Sequence, residues 1–220
     1  MTDLRIGSIA PDFTAETTKG TIHFHDWIDG QYAVLFSHPK DYTPVCTTEL
    51  GEVARLRDEF AKRDSKVIGL SVDKVTDHEG WSQDIKDVSG YEVNFPMIGD
   101  YDLNVSKLYN MLPAEEQAGD NRTSGTNATV RTVYIIGPDK KIRAMLIYPM
   151  NSGRNFEEIL RLLDSVRLTD RYTLATPVNW KQGEPCIIPP SVSNEAAKDK
   201  YPQGWETLKP YLRKVAQPVD

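Results

Sequence analysis

Apolar residues fall along this chain in two alternating patterns. Ala33, Val34, Leu35 and Phe36 form the continuous apolar run of a buried strand, and Leu50, Val53, Leu56 and Phe60 follow at helical spacing. Lys66–Val72 reads as a second strand, and a polar helix from about Asp77 to Val88, carrying His78 and Trp81, comes after it. Phe95–Ile98 predicts a further strand, and Leu103, Val105, Leu108 and Met111 one face of a helix. Val130–Ile136 is again strand-like, with Arg131 near its beginning; residues 137–141 make a turn and Ile142–Tyr148 the returning strand. Phe156, Ile159, Leu160, Leu163 and Val166 then repeat with a period near 3.6. Ahead of all these, Ile9–Ala15 and Gly20–Phe24 predict two short strands, and His25–Ile28 a helical turn. Strand and helix thus alternate, which predicts an α/β layer architecture around a mixed or parallel sheet.

Two stretches depart from that alternation. Residues 113–129 are polar and rich in Gly, Asn and Thr, the texture of a surface loop. From Thr169 onward, prolines separate short apolar pieces, with too little hydrophobic surface for an independent core. The expected organisation is one domain over 1–168 and a small module over 169–220 packed on its own subunit or on a partner.

Composition narrows the class. A chain that is 39% hydrophobic and 26% charged, with net charge −6, offers no basic patch for nucleic acid or an anionic membrane. No apolar run approaches the length of a membrane span, and the first residues carry charges where a signal peptide needs its apolar stretch, so a cytoplasmic location is expected. Cys46 and Cys186 are the two cysteines, far apart and without a C-x-x-C or histidine cluster, which argues against a disulfide framework and a zinc site. His23 and His25 read as packed or surface side chains, and no metal is expected. Asn121 and Asn127 both begin glycosylation sequons, which are chance matches in a chain without a secretion signal.

The candidate chemistry sits between the first buried strand and the helix after it. In Ser37-His38-Pro39-Lys40-Asp41-Tyr42-Thr43-Pro44-Val45-Cys46, Thr43 suits an N-cap and Pro44 the first helical position, which puts Cys46 third. Unpaired backbone N–H groups and the positive end of the helix dipole favour thiolate there, the nucleophilic form. A lone cysteine is more often inert packing. What tips the balance is spacing: Pro39, Thr43 and Cys46 match the Pro-x-x-x-Thr-x-x-Cys signature of the peroxiredoxins, and the longer string resembles the one-cysteine branch of that family.

The resemblance implies a thioredoxin-like fold to about Leu168, and Ala175–Trp180 with Gly183-Glu184 resembles the C-terminal module of that branch. It implies a thiol-dependent peroxidase acting on hydrogen peroxide and organic hydroperoxides, without cofactor, through a sulfenic acid on Cys46. Thr43 and the Cys46 N–H would orient the peroxide, Arg131 would donate to the sulfur and the leaving oxygen, and Pro39 would exclude water. Glu49 and Arg154 match positions that hold Arg131. His38 matches a histidine beside the sulfur, with a purely structural histidine equally open.

Two-cysteine relatives carry a resolving cysteine in a motif that puts Thr176 at its place here. Cys186 lies in an apolar setting that suggests packing, so an external thiol is the expected reductant and a homodimer or higher homo-oligomer the expected assembly. A phospholipase triad known in some members of the branch finds His25 and Asp139 but Gln31 where its serine would be, so it lacks a nucleophile. A redox sensor or holdase would use the same thiolate and stays open at this stage.

Overall fold

The computed structural model describes residues 4–114 and 126–218. The polar stretch expected as a loop lies partly, and the Asn121 sequon wholly, outside the described residues. The chain divides into two compact units, Met1–Phe156 and Glu157–Asp220.

The first unit is built on a seven-stranded mixed sheet. Its strands are β1 (Thr14–Thr17), β2 (Gly20–His23), β3 (Tyr32–Ser37), β4 (Ser65–Ser71), β5 (Met97–Gly99), β6 (Arg131–Ile136) and β7 (Ile142–Tyr148), in the order β2-β1-β5-β4-β3-β6-β7. β3, β4 and β5 run parallel, while β6 pairs antiparallel with β3 and with β7. Every residue of β3 and of β6 is buried, as a strand covered on both faces requires. Ala33, Leu35, Ile68, Leu70, Tyr134 and Ile136 meet Phe24, Ile28 and Tyr109 in one hydrophobic core.

The helices of this unit are α1 (Phe24–Ile28), α2 (Pro44–Arg55), α3 (Arg57–Lys62), α4 (Val75–Ser89) and α5 (Asn104–Leu108). Two close approaches set where α4 lies. A Cβ on Gly51 of α2 would meet Ser89 Cβ at 2.5 Å, and one on Gly99 would meet the Val75 backbone N at 2.5 Å. Glycine at both positions therefore lets α4 press against α2 and the end of β5.

Most predicted elements are present with shifted ends, and three expectations need correction. Ile9–Ala15 is not a strand until Thr14: Pro11 has no N–H for a ladder, and Ile9 makes only an isolated bridge to Lys141. The single helix expected through Leu50 and Phe60 is broken at Leu56, whose φ −86° and ψ 6° leave helical geometry. The tail has a core after all.

The second unit contains helix α6 (Phe156–Arg171, its first residue ending the first unit), strands β8 (Cys186–Ile188), β9 (Glu206–Lys209) and β10 (Leu212–Val215), and helix α7 (Asn194–Lys200). The strands form an antiparallel sheet in the order β8-β10-β9. Leu168, Leu174, Trp180, Cys186, Ile188, Ala197, Tyr201 and Val215 gather into a small cluster of their own. Prolines disperse these residues along the sequence, which hides the cluster from any periodicity. Buried Arg213 donates to the Pro189 and Val192 carbonyls and to Asn194 Oδ1, tying the loop before α7 to β10. Among the described residues no helix is long and apolar enough to cross a membrane.

Candidate active site

Cys46 is fully buried at the third position of α2. Thr43 precedes the helix with extended backbone (φ −116°, ψ 146°), but its hydroxyl does not cap it. That hydroxyl donates instead to the Lys40 carbonyl at 2.8 Å, which the left-handed turn at Tyr42 (φ 54°) brings within reach. The first intrahelical bond to the Thr43 carbonyl comes from Thr47 N. The N–H groups of Val45 and Cys46 therefore face the helix mouth without an intrahelical acceptor.

A chain of buried charges surrounds the sulfur. Arg131 Nη1 lies 3.4 Å from Cys46 Sγ and donates to Glu49 Oε2 at 2.7 Å, while its Nε donates to the Met150 carbonyl at 2.8 Å. Arg154 donates to both oxygens of the same carboxylate, from Nε at 3.0 Å and Nη2 at 2.7 Å, and its backbone N adds a third bond at 2.7 Å. Its Nη1 reaches the carbonyls of Ser37 and Thr132 at 2.8 and 3.1 Å, and its guanidinium lies over the Phe36 and Phe156 rings.

Burial alone would raise the Glu49 carboxyl, but the charges and hydrogen bonds of Arg154, with the charge of Arg131, hold it below the ordinary carboxylate range. Burial pulls Arg154 down from its ordinary value, with Glu49 opposing. Two guanidiniums against one carboxylate leave one positive charge beside the sulfur, in surroundings that water does not screen.

Ser37, which sequence reasoning did not single out, sets this geometry. Its hydroxyl donates to the Val130 carbonyl at 2.6 Å and accepts from Thr132 N at 3.1 Å, stapling the end of β3 across the start of β6. Arg131 between them is thereby aimed at α2. Pro39 is buried beside His38, whose carbonyl accepts from Thr129 Oγ1 at 2.7 Å.

His38 belongs to a second buried cluster that the sequence did not reveal. His38 Nε2 lies 2.7 Å from Asp41 Oδ1, and His78 Nδ1 lies 2.5 Å from Asp41 Oδ2. Both rings are fully buried, and one nitrogen of each, with a carboxylate oxygen of Asp41, forms a group within 4.8 Å. The N···O separations are those of short hydrogen bonds.

The other sequence-marked residues lie elsewhere. Gln31 donates to Asp64 at 2.5 Å, His25 Nε2 is bonded to the Ala10 carbonyl at 2.7 Å, and Asp139 is paired with Arg143 at 3.0 Å. Cys186 is buried in the second unit, where burial pushes its thiol up from the ordinary value.

Comparison with known proteins agrees with this arrangement. Residues 6–145 match the AhpC/TSA family, and residues 165–204 match the C-terminal domain of 1-Cys peroxiredoxin. The mitochondrial peroxiredoxin PRX1 of Saccharomyces cerevisiae is 50% identical over 211 residues, spanning 96% of this chain and 80% of that protein. The fold superposes on a cysteine-to-serine mutant of peroxiredoxin 6 from Arenicola marina with a TM-score of 0.91, at 42% identity, over 99% of this chain and 100% of that one. It superposes on the yeast mitochondrial 1-Cys peroxiredoxin, a structure concerned with thiol resolution via the glutathione and thioredoxin systems, with a TM-score of 0.88 at 49% identity, over 97% and 99% of the two chains. With both its domains matched and its thioredoxin-like fold shared, the chain belongs to the one-cysteine branch of the AhpC/TSA peroxiredoxins, which are thiol peroxidases.

Proposed function

We propose that Cys46 is the residue that reacts with peroxide, and the observation that carries this reading is the 3.4 Å approach of Arg131 Nη1 to its sulfur. The thiolate attacks one oxygen of a hydroperoxide, the O–O bond breaks, and the S–O bond forms. Sulfur is oxidised to sulfenic acid, and the leaving oxygen takes a proton to become water or alcohol. Charge grows on that leaving oxygen, and Arg131 and the unpaired N–H groups of Val45 and Cys46 supply donors for it. Glu49 and Arg154 keep Arg131 in place, and Pro39 closes the floor.

An external thiol then condenses with the sulfenic acid, releasing water, and a second thiol restores Cys46 as a disulfide departs. A small thiol of the glutathione class is the reductant that fits, since the other cysteine lies in the packed core of the second unit. A reducing compartment such as the cytoplasm suits two cysteines that are both free. Edge strand β7, with Ile147 66% exposed, favours a homodimer, and Val178, 88% exposed, marks a face of the C-terminal module for packing on a partner subunit. Peroxide-dependent consumption of glutathione by wild type, lost in Cys46→Ser, tests the reading; turnover surviving in that variant would refute it.

A further inference from the structure

Strands β3 and β4 run parallel, with Tyr32 beside Ser65 and Ser37 beside Leu70. Cys46 follows the finishing end of β3, whereas a cleft of about 300 Å³ opens at the starting end of β4. Trp27 of α1, Val53 of α2, Phe60 of α3, Val67 of β4, and Phe95 and Pro96 ahead of β5 supply its apolar lining. None of the residues that surround the Cys46 sulfur lines it, so what binds here and what reacts there stand or fall separately.

The charge in this cleft has one sign. Arg57 and Lys66 are its charged lining residues, both cations in a chain whose net charge is −6. Lys66 Nζ donates to the Trp27 carbonyl at 2.6 Å and lies 5.5 Å from the centre of the Trp27 ring, which holds the ammonium at the cleft. An ammonium has three N–H groups, and this bond leaves two of them to donate. Among the described residues nothing pairs with the Arg57 guanidinium or the Asn94 side chain, which also lines the cleft. Ser65 has its hydroxyl proton committed to the Arg63 carbonyl at 2.9 Å. Donors without an acid to satisfy them complement an anion, and a guanidinium fork matches the two oxygens of a carboxylate.

The lining and the volume narrow the rest of the ligand. Three aromatic residues offer faces and edges to a flat ring. A volume near the lower limit of small-molecule sites, about 300 Å³, suits one or two fused rings. Another protein could place only a side chain or two in it, well short of the roughly 800 Å² per partner that a stable interface buries. We infer that this cleft binds a small aromatic carboxylate, with its ring among Trp27, Phe60 and Phe95 and its carboxylate on Arg57 and Lys66.

Titrating the full chain with 2-naphthoate tests this, by calorimetry and by the nitrogen-15 indole signals of the four tryptophans. One molecule should bind per chain with a dissociation constant below about 1 mM, and the indole signal that Trp27→Phe removes should be the one that shifts. 2-Naphthalenemethanol has the same rings without the charge and should bind about tenfold more weakly. Octanoate has the charge without the rings and should bind about fivefold more weakly. Arg57→Gln, a change at an exposed position, should weaken 2-naphthoate about tenfold and cut its advantage over the alcohol to about twofold. Absence of saturable binding, a shift confined to other tryptophans, equal affinity for acid and alcohol, octanoate binding as tightly, or an unchanged affinity in Arg57→Gln would each overturn the proposal. So would sedimentation showing that 2-naphthoate splits an assembly of chains, since a second copy would then be the occupant.

Discussion

Both cysteines of this chain have no exposed surface, yet their surroundings are opposites. Cys46 has a guanidinium against its sulfur and a helix start beneath it; Cys186 sits at the start of β8 among Leu168, Trp180, Ile188 and Val215. Its thiol donates to the Glu184 carbonyl at 3.8 Å, and burial pushes it up from its ordinary value against an opposing hydrogen bond from Trp180. Burial therefore says nothing about reactivity by itself. A buried sulfur becomes a nucleophile where the groups around it complement an anion, and stays inert where they complement a neutral atom.

The most direct way to break this contrast is to exchange sulfur for oxygen at each position. Cys46→Ser should lower peroxidase turnover by on the order of 10⁴-fold, as loss of a nucleophile does. Cys186→Ser should stay within about twofold, with its cost appearing in stability. Similar losses in the two variants would mean that the contrast is not functional.

The charges around Cys46 come next. Arg131→Lys keeps the charge but cannot reach Glu49, the Met150 carbonyl and the sulfur from one plane, and peroxide oxidation in stopped flow should slow about 100-fold. Glu49→Gln leaves two buried guanidiniums facing each other without their shared anion, and denaturant unfolding should show a loss of about 3 to 5 kcal/mol. An unchanged rate in the first or an unchanged midpoint in the second would reduce the network to incidental contacts.

Oxidation without reductant tests whether the two cysteines differ in fate. One equivalent of peroxide should add one oxygen to the protein, and excess should add two or three, all on Cys46 in the peptide map. A quantitative Cys46–Cys186 disulfide under the mild condition would make Cys186 a resolving residue.

The smallest expected effect is on stability in acid. The folded Glu49 lies below its ordinary 4.5, and Asp41 drops from 3.8 to about 2. Both therefore contribute stability that is present above the ordinary values and is lost as pH falls through the folded ones. The thermal midpoint should fall as pH drops below 4.5, with part of the slope absent in Glu49→Gln, and a flat midpoint would contradict it.

Local pattern made much of the fold legible. β3, β4, β6, β7 and α6 are read directly from apolar runs or a 3.6 period because each has a face or body that must be buried. The break at Leu56 and the core of the second unit were not legible, since both depend on contacts between residues that no period links. The site divides the same way. Cys46 is marked by its place in front of a helix, but Glu49, Arg131 and Arg154 converge across 82 and 105 positions, and only resemblance to a family made them candidates. His78 lies 37 positions from Asp41 on a mostly polar helix, and nothing nearby in sequence indicates its partner.

The bond from Thr43 to the Lys40 carbonyl carries a further consequence. With its one proton committed there, the hydroxyl can offer an incoming molecule only lone pairs. A Thr43 that orients the substrate would thereby sort oxidants by hydrogen-bond polarity: a hydroperoxide brings the O–H that is wanted, whereas a dialkyl peroxide has the same weak O–O bond and nothing to donate. Tert-butyl hydroperoxide should oxidise Cys46 and di-tert-butyl peroxide should not, and Thr43→Val should narrow that difference by slowing the first. Discrimination of this kind would let the enzyme ignore dialkyl peroxides however well they fit, because the password is a proton rather than a shape.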